Sequence, residues 1–522
     1  MPLRSSRFIL VLALLGVAVT GAQVASAAGR ALPASRAEVQ RAAVSSWPMA
    51  GHDLSNTRNN PSETTIGTAN VAGLVQKWSA TFPSNLTATP AVVGGVVYLG
   101  DRAGTLWAFN ATTGAVIWSH LVSSYTGVSG DVVKATPAVA GGRVIVGDQP
   151  GSGAHAGASI IAVSAATGAL LWKTVVDTTP TARITGAAGI DGSSVYVGVS
   201  SADESSPACC TFRGSVVALN ASTGALLWRR YTAPAGYTGA AVWGGNPVVN
   251  HTTGLLYIGT GNNYTVPAGV CTMPNQTGCT APANNDYVDS LVALHLSTGT
   301  VAWAMRTLSS DATSNVCPSG CGPDFDFGSA PNLFTATIGG VSRQLVGIGQ
   351  KSGIYWARDA ATGAAVWQTL VGPGGTEGGI QWGSAVDGKR IYVSIGNSEN
   401  TTWTLHPSGA TTTGGAFSAL NPATGAILWQ TPDPQKARDI GFVSSANGVV
   451  YAGSDEGSGN NMYALNGATG KILWKFASGG AVMGGAAVVN GTVYWETGYI
   501  RPQCPTKPPT CGTTFRLYAF GL

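Results

Sequence analysis

The sequence predicts an all-β fold, an eight-bladed β-propeller whose blades dock through tryptophans and whose ring closes on strands from both ends of the chain. Three observations predict it. Thr-Gly followed by tryptophan four residues after the glycine recurs at Trp118, Trp172, Trp228, Trp303, Trp367, Trp429 and Trp474. Other β-type runs, such as VVGGVVYLGD and VAGGRVIVGD, lie between the copies, so each unit supplies about four short strands. An eighth unit is split: the terminal FRLYAFGL has no turn and tryptophan after it, and GLVQKWSA, with Trp78, has no strand before it.

Each part of the unit has a physical reason. Alternation of apolar residues, as in LWAFN or VVALN, suits a half-buried strand. The Thr-Gly step is a tight hairpin turn, with glycine where φ must be positive. The strand after it carries the tryptophan into the gap between neighbouring sheets. A unit this short cannot bury both faces of its sheet alone, so it must stack on copies of itself. Joining the split eighth unit closes the ring without a covalent bond and leaves no open seam. A pair of β-sandwiches would not explain a fixed turn-tryptophan motif. The widest gap between motif tryptophans, Trp228 to Trp303, holds Cys271 and Cys279.

The start of the chain reads as a secretory leader over residues 1–27. Arg4 and Arg7 are its charged end, Phe8 to Ala22 its apolar stretch, and Ala25-Ser26-Ala27 its cleavage site. An uncleaved anchor is the alternative. Residues 28–45 read as a flexible mature start and 46–522 as a single propeller. No other apolar run is long enough to span a bilayer, so the expected location is secreted or periplasmic. The formal net charge is +4 and includes two leader arginines. Without a basic block, nucleic acid is not an expected partner. The eight cysteines fall in four local pairs, Cys209/Cys210, Cys271/Cys279, Cys317/Cys321 and Cys504/Cys511, and are expected to form four disulfides in sequence order. The spacings do not suit structural zinc. No Cys-x-x-Cys-His motif is present, so covalent haem is not expected on this chain.

Four further stretches carry a resemblance. SWPMAGHDLSNTRNN with ANVAGL places Trp47, Gly51, Asp53, Thr57, Arg58, Asn70, Val71 and Leu74 in a characteristic opening. VYVGVSSADE followed by FRGSVVALN holds Glu204 and Arg213-Gly214, with Cys209-Cys210 inserted between. AVWGGNPVVNHTTGLLYIGTGNN holds Trp243 and Asn262; GPDFDFGSAPNLF and GIGQKSG hold Asp326 and Lys351, and GGIQW holds Gln381. In this order they resemble the pyrroloquinoline-quinone-dependent alcohol dehydrogenases, nearest the branch that oxidises polyvinyl alcohol. The resemblance covers nearly all of the chain after the leader. It departs from the family at the adjacent cysteine pair, which relatives carry earlier, where this chain reads GDVVKATPAV.

The resemblance implies an enzyme that oxidises an alcohol, secondary or polymeric, by hydride transfer to the quinone, with Ca2+ as Lewis acid. Glu204 and Asn262 would be the protein's metal ligands. Trp243 and the Cys209–Cys210 disulfide would give the flat cofactor apolar faces. Arg213 and Lys134 would meet its carboxylates, and Gln381 would touch it through its amide. Asp326 would be the base and Lys351 would stabilise the developing oxyanion, with Asp324 in a structural role. Gly328 stands where lanthanide-using members carry an aspartate, which favours calcium. Electrons would leave to a separate carrier such as a cytochrome c. Each residue alone has a plainer reading: Asn262 as a turn former, Glu204 as a solvated carboxylate, Trp243 as blade packing, Lys351 as a surface lysine. Tryptophan-bearing propellers also include non-catalytic scaffolds that bind protein or polysaccharide, which is the alternative function.

Overall fold

The apolar runs fold as eight antiparallel blades of four strands; Asn59–Asn60 adds a parallel strand to one blade, Ala182–Arg183 an extra strand to another, and two short two-stranded sheets lie between blade strands. The computed structural model describes residues 45–149, 157–317, 321–499 and 514–522; the leader and Cys504/Cys511 lie outside them. Blade 1 is built from Ala91–Val93, Val96–Gly100, Thr105–Asn110 and Val116–Leu121, paired in that order. Blades 2 to 7 repeat the pattern along the chain. The first strands of successive blades touch in an unbroken circle, from blade 1 round to blade 8 and back.

Blade 8 is composite. Its first two strands are Ala487–Val489 and Thr492–Thr497, its third is Arg516–Gly521, and its outermost is Val75–Thr81 from the other end of the chain. Trp78 lies opposite Ala519 and Ser79 opposite Tyr518. The closure expected from the split unit is therefore present.

The tryptophans form the seams. The indole N–H of Trp172 donates to Ala221 in the next blade at 3.0 Å, that of Trp228 to Leu296 at 2.9 Å, and that of Trp429 to Gly467 at 3.0 Å. Each indole also lies flat against the Thr-Gly turn of the blade ahead. A Cβ on Gly224 would stand 2.5 Å from Trp172 Cε3, and one on Gly470 equally close to Trp429 Cε3. The motif glycine is thus needed twice, once for its positive φ and once because an indole occupies the space. At the last seam Trp474 donates to Leu74, so the N-terminal segment replaces the missing turn.

The stretch before blade 1 lies across the first strands. The carbonyls of Trp47, Pro48, Leu54, Ser55, Thr57 and Arg58 accept N–H groups from Val92, Val139, Val249, Leu333, Val386 and Ser445, one in each of six blades. The Asn60 amide donates to Val488 in blade 8. Arg58 is fully buried. It donates to Ala50, Thr89 and Val443, lies 4.3 Å over the Phe442 ring, and is pushed down to about 9 by burial. That gives the WPMAGHDLSNTRNN opening a structural reason: its backbone ties the blades together at one end of the axis.

Candidate active site

Connections that leave the second strand of a blade, and those that enter the next first strand, supply the side chains of one cavity. Its volume is about 310 Å³, and it is lined by Glu204, Trp243, Asp324, Lys351, Thr376, Glu377, Gln381, Ile440 and Tyr499. Glu204 follows Ser194–Ser201 of blade 3, and Lys351 follows Val341–Gly349 of blade 5. Trp243 and Asp324 come from the crossings between blades 3 and 4 and between blades 4 and 5.

Lys351 is the centre of the polar part. Its Nζ donates to Asp324 Oδ1 at 2.9 Å, pairs with Asp326 Oδ2 at 2.9 Å, and stands 5.3 Å from the centre of the Trp243 ring. Burial works against the ammonium, but Asp326 and Asp324 outweigh it and hold it above the ordinary lysine range. Asp326 receives two further donors: the Asn262 backbone N–H reaches Oδ1 at 2.7 Å, and the Trp243 indole N–H reaches Oδ2 at 3.0 Å. Burial and the negative charge of Asp326 push Asp324 well above its ordinary range, against Lys351. Burial, Asp326 and Asp311 push Glu204 up to about 7, again against Lys351. Three carboxyl groups facing one ammonium leave this wall short of positive charge.

Of the residues the sequence reading brought into one site, Glu204, Trp243, Lys351 and Gln381 line the cavity, while Asp326 and Asn262 stand outside its lining, Asp326 on Lys351 and Asn262 on Asp326. Asp324, expected to be structural, lines the cavity and shares the ammonium. The Asn262 amide nitrogen donates to Asn263 and Thr313 carbonyls at 2.9 and 2.8 Å, which fixes its side chain. Among the described residues no group of three or more His, Cys, Asp or Glu side chains is placed to hold a metal ion. At Gly328 a Cβ would lie 2.4 Å from Trp243 Cη2, leaving no room for a side chain while the indole keeps its place.

Lys134 lies behind this wall, its Nζ 4.4 Å over Trp382, which meets Trp243 edge to face at 5.2 Å. Burial, with Arg102 and Arg183 nearby, pushes it down to about 7. Arg183 is itself pushed down to about 10, by burial and then by Arg102. Sequence reasoning missed Arg102 and Arg183. A signal existed for Arg102: GDRAG at 100–104 and GQKSG at 349–353 are the same slot of the repeat, so Arg102 is the blade 1 counterpart of Lys351.

Arg213 is turned elsewhere. Its guanidinium donates to Ala233 and stacks 4.2 Å from the Tyr231 ring, and it does not line the cavity. The Cys209–Cys210 disulfide is formed, as are Cys271–Cys279 and Cys317–Cys321. The adjacent pair does not line the cavity either. Its loop folds back on buried Asp203, whose carboxylate accepts the N–H groups of Thr211 and Phe212. Asp311, also missed, sits under the acidic loop. Its carboxylate accepts from Asp324 and Phe325 N–H at 3.3 and 3.0 Å, and its carbonyl from Asn263 N–H at 2.9 Å.

A family model described as outer membrane protein assembly factor BamB, of the PQQ-repeat type, matches residues 75–305 and 413–501. The chain belongs to this family of repeat propellers. Curated relatives it matches include proteins named polyvinylalcohol dehydrogenase and quinohemoprotein alcohol dehydrogenase. It is 29% identical over 504 residues to the polyvinylalcohol dehydrogenase of a Pseudomonas species, covering 87% of this chain and 73% of that one. It is also 29% identical over 434 residues to the polyvinylalcohol dehydrogenase of Sphingopyxis sp. (strain 113P3), covering 75% of this chain and 61% of that one. The solved quinohemoprotein alcohol dehydrogenase of Comamonas testosteroni shares the fold, with a TM-score of 0.69 at 21% identity over 91% of this chain and 80% of that one. Among the described residues no helix of this propeller is long and apolar enough to cross a membrane.

Proposed function

We propose that this propeller is an exported dehydrogenase that oxidises an alcohol with pyrroloquinoline quinone and calcium, and that its substrates include secondary and polymeric alcohols such as polyvinyl alcohol. One observation carries the reading: carboxyl groups and a lone ammonium meet over an indole, with further cations behind it. Glu204, Asp324 and Lys351 line the cavity with Trp243, Asp326 pairs with Lys351, and beyond Trp243 the Lys134 ammonium stands over Trp382 with Arg102 and Arg183 acting on it. A flat tricarboxylate that chelates a dication would meet both the carboxyl groups and the cations, so these residues fit the group. Glu204 and the Asn262 amide would hold the cation, Trp243 would offer its face, and the three cations would meet the carboxylates. Calcium rather than a trivalent ion of similar size, which would call for another anionic ligand, suits a site where position 328 has no room for another carboxylate.

Bound there, the quinone and its cation would supply the acceptor for the alcohol's electron pair. The chain's own residues would do the rest. Asp326 Oδ1 has one donor on it and so keeps a lone pair for the hydroxyl proton. Lys351 sets its ammonium against charge developing on the substrate oxygen. Trp243, backed edge to face by Trp382, would close that side of the cavity to water. Electrons would then pass to a separate carrier such as a cytochrome c.

The test is reconstitution. Apoprotein is titrated with the quinone and Ca2+, followed by absorbance, and dye reduction is then measured with primary, secondary and polymeric alcohols. Tight quinone binding and turnover on secondary alcohols are expected. A protein that binds no quinone is instead a scaffold of the kind the family description names, binding protein or polysaccharide.

A further inference from the structure

The cavity wall carries two polar side chains that the proposed reaction does not use. Glu377 brings a carboxylate to it between blades 5 and 6, and Tyr499 brings a phenol from blade 8. The carboxylate is held in place. Arg438 Nη1 stands 3.3 Å from Glu377 Oε2, and Arg438 Nε stands 3.0 Å from Asp455 Oδ2. Arg438 is fixed from behind, because its backbone N–H donates to Asp455 Oδ1 at 3.2 Å and its carbonyl accepts the Asp455 N–H at 3.1 Å. Arg438 offsets the charge of Glu377, so this part of the wall presents hydrogen-bonding groups. A carboxylate and a phenol that line one cavity and act on each other offer an acceptor and a donor, which matches a hydroxyl group on both counts.

We propose that Glu377 and Tyr499 form a second hydroxyl-binding point in this cavity, with Arg438 as its positioning residue, and that it selects polyols, whose further hydroxyl it takes while another reacts at Asp326 and Lys351. This rests on the reading of the cavity as an alcohol dehydrogenase site. It goes beyond that reading in naming what distinguishes a polyol from a simple alcohol of equal bulk. Burial holds the Tyr499 phenol up at about 12, with Glu377 adding to the shift, so it remains a donor at neutral pH.

The experiment compares 2-butanol, 2,4-pentanediol and polyvinyl alcohol on quinone-loaded, calcium-loaded protein, wild type against Glu377→Gln, Glu377→Asp and Tyr499→Phe. Loss of the charged acceptor in Glu377→Gln or of the phenol donor in Tyr499→Phe should raise KM for the diol and the polymer about three- to tenfold more than for 2-butanol, with kcat little changed. Glu377→Asp should recover part of the loss. Quinone affinity is measured by absorbance titration in parallel and should match wild type. Equal losses on all three alcohols, or weakened quinone binding in Glu377→Gln, would overturn the proposal, the second by placing the carboxylate on the cofactor. Wild-type protein that oxidises 2-butanol as efficiently as the diol overturns the polyol point and leaves the dehydrogenase standing. Loaded wild type that oxidises no alcohol overturns both.

Discussion

Lys351 stands between two carboxylates 2.9 Å away, and they are not equivalent. Asp324 meets Lys351 through Oδ1, whereas Asp326 takes the Lys351 ammonium and the Trp243 indole N–H on Oδ2 and the Asn262 N–H on Oδ1, which fixes its carboxylate against the indole. Asp326→Asn is therefore expected to keep the quinone and lose turnover by roughly 10²–10⁴-fold, while Asp324→Asn, which keeps size and hydrogen bonding, should stay within about tenfold of wild type. Dye-linked turnover with cofactor content checked by absorbance decides it; the reverse ranking would move the base to Asp324. Lys134 gives a pH prediction. It is pushed down to about 7 in the free protein, and a bound anion favours its charged form, so binding above pH 7 takes up a proton. Affinity for the anionic quinone should fall as pH rises from about 7, and Lys134→Met should bind more weakly with a flatter profile. Tryptophan fluorescence titrations across that range measure both. Lys134 and Lys351 were legible because both stand in recognisable stretches. Arg183 was not: it belongs to a two-residue strand, Ala182–Arg183, that carries no motif. Where Arg213 points was not legible, because its motif fixes the backbone of the next blade while Ala233 and Tyr231 hold its guanidinium.

A Thr-Gly turn and the tryptophan it serves belong to different blades. Sequence places Gly224 and Trp228 in one motif, yet Gly224 lies under Trp172 of the blade before it. The repeat was plain in the sequence because the same seam is built over and over, but which partner each residue meets appears only when the sheets stack. The opening segment was harder still. Its backbone carbonyls make the contacts, and backbone contacts leave little mark on side-chain pattern. The double demand on the motif glycine can be separated by experiment. Gly224 has φ of 73° and an indole atom 2.5 Å from its would-be Cβ; Gly254 has φ of 70° and nothing within 4 Å. Gly254→Ala should therefore cost only the left-handed backbone term, about 1–2 kcal/mol. Gly224→Ala should cost about 1–3 kcal/mol more, because Trp172 must move. Urea unfolding of the two variants gives the difference directly, and equal costs would mean that the indole yields freely.

A closed ring has no end blade, so its stability depends on every seam holding at once. Blade 8 is where that dependence is greatest, because its parts come from opposite ends of the chain. Arg516–Gly521 is the third strand of its sheet, bonded to Thr492–Thr497 on one side and to Val75–Thr81 on the other. Leu517, Tyr518, Ala519 and Phe520 are all buried, and Phe520 meets Trp474 of blade 7 edge to face at 5.0 Å. Deleting residues 514–522 removes an interior strand and leaves Val75–Thr81 with no neighbour in the sheet. The seam of Trp474 on Leu74 and that of Trp78 on Ala111 then lose their support together. Two failed seams on either side of one blade open the ring and expose its edges to water and to other chains. The loss should exceed the roughly 0.5–3 kcal/mol usual for a single substitution and should lower the midpoint of the whole propeller rather than add a separate early transition. Thermal unfolding with limited proteolysis tests this, with cleavage expected first between residues 61 and 81. A truncated protein that unfolds at the wild-type midpoint would show that seven complete blades hold the ring without the eighth.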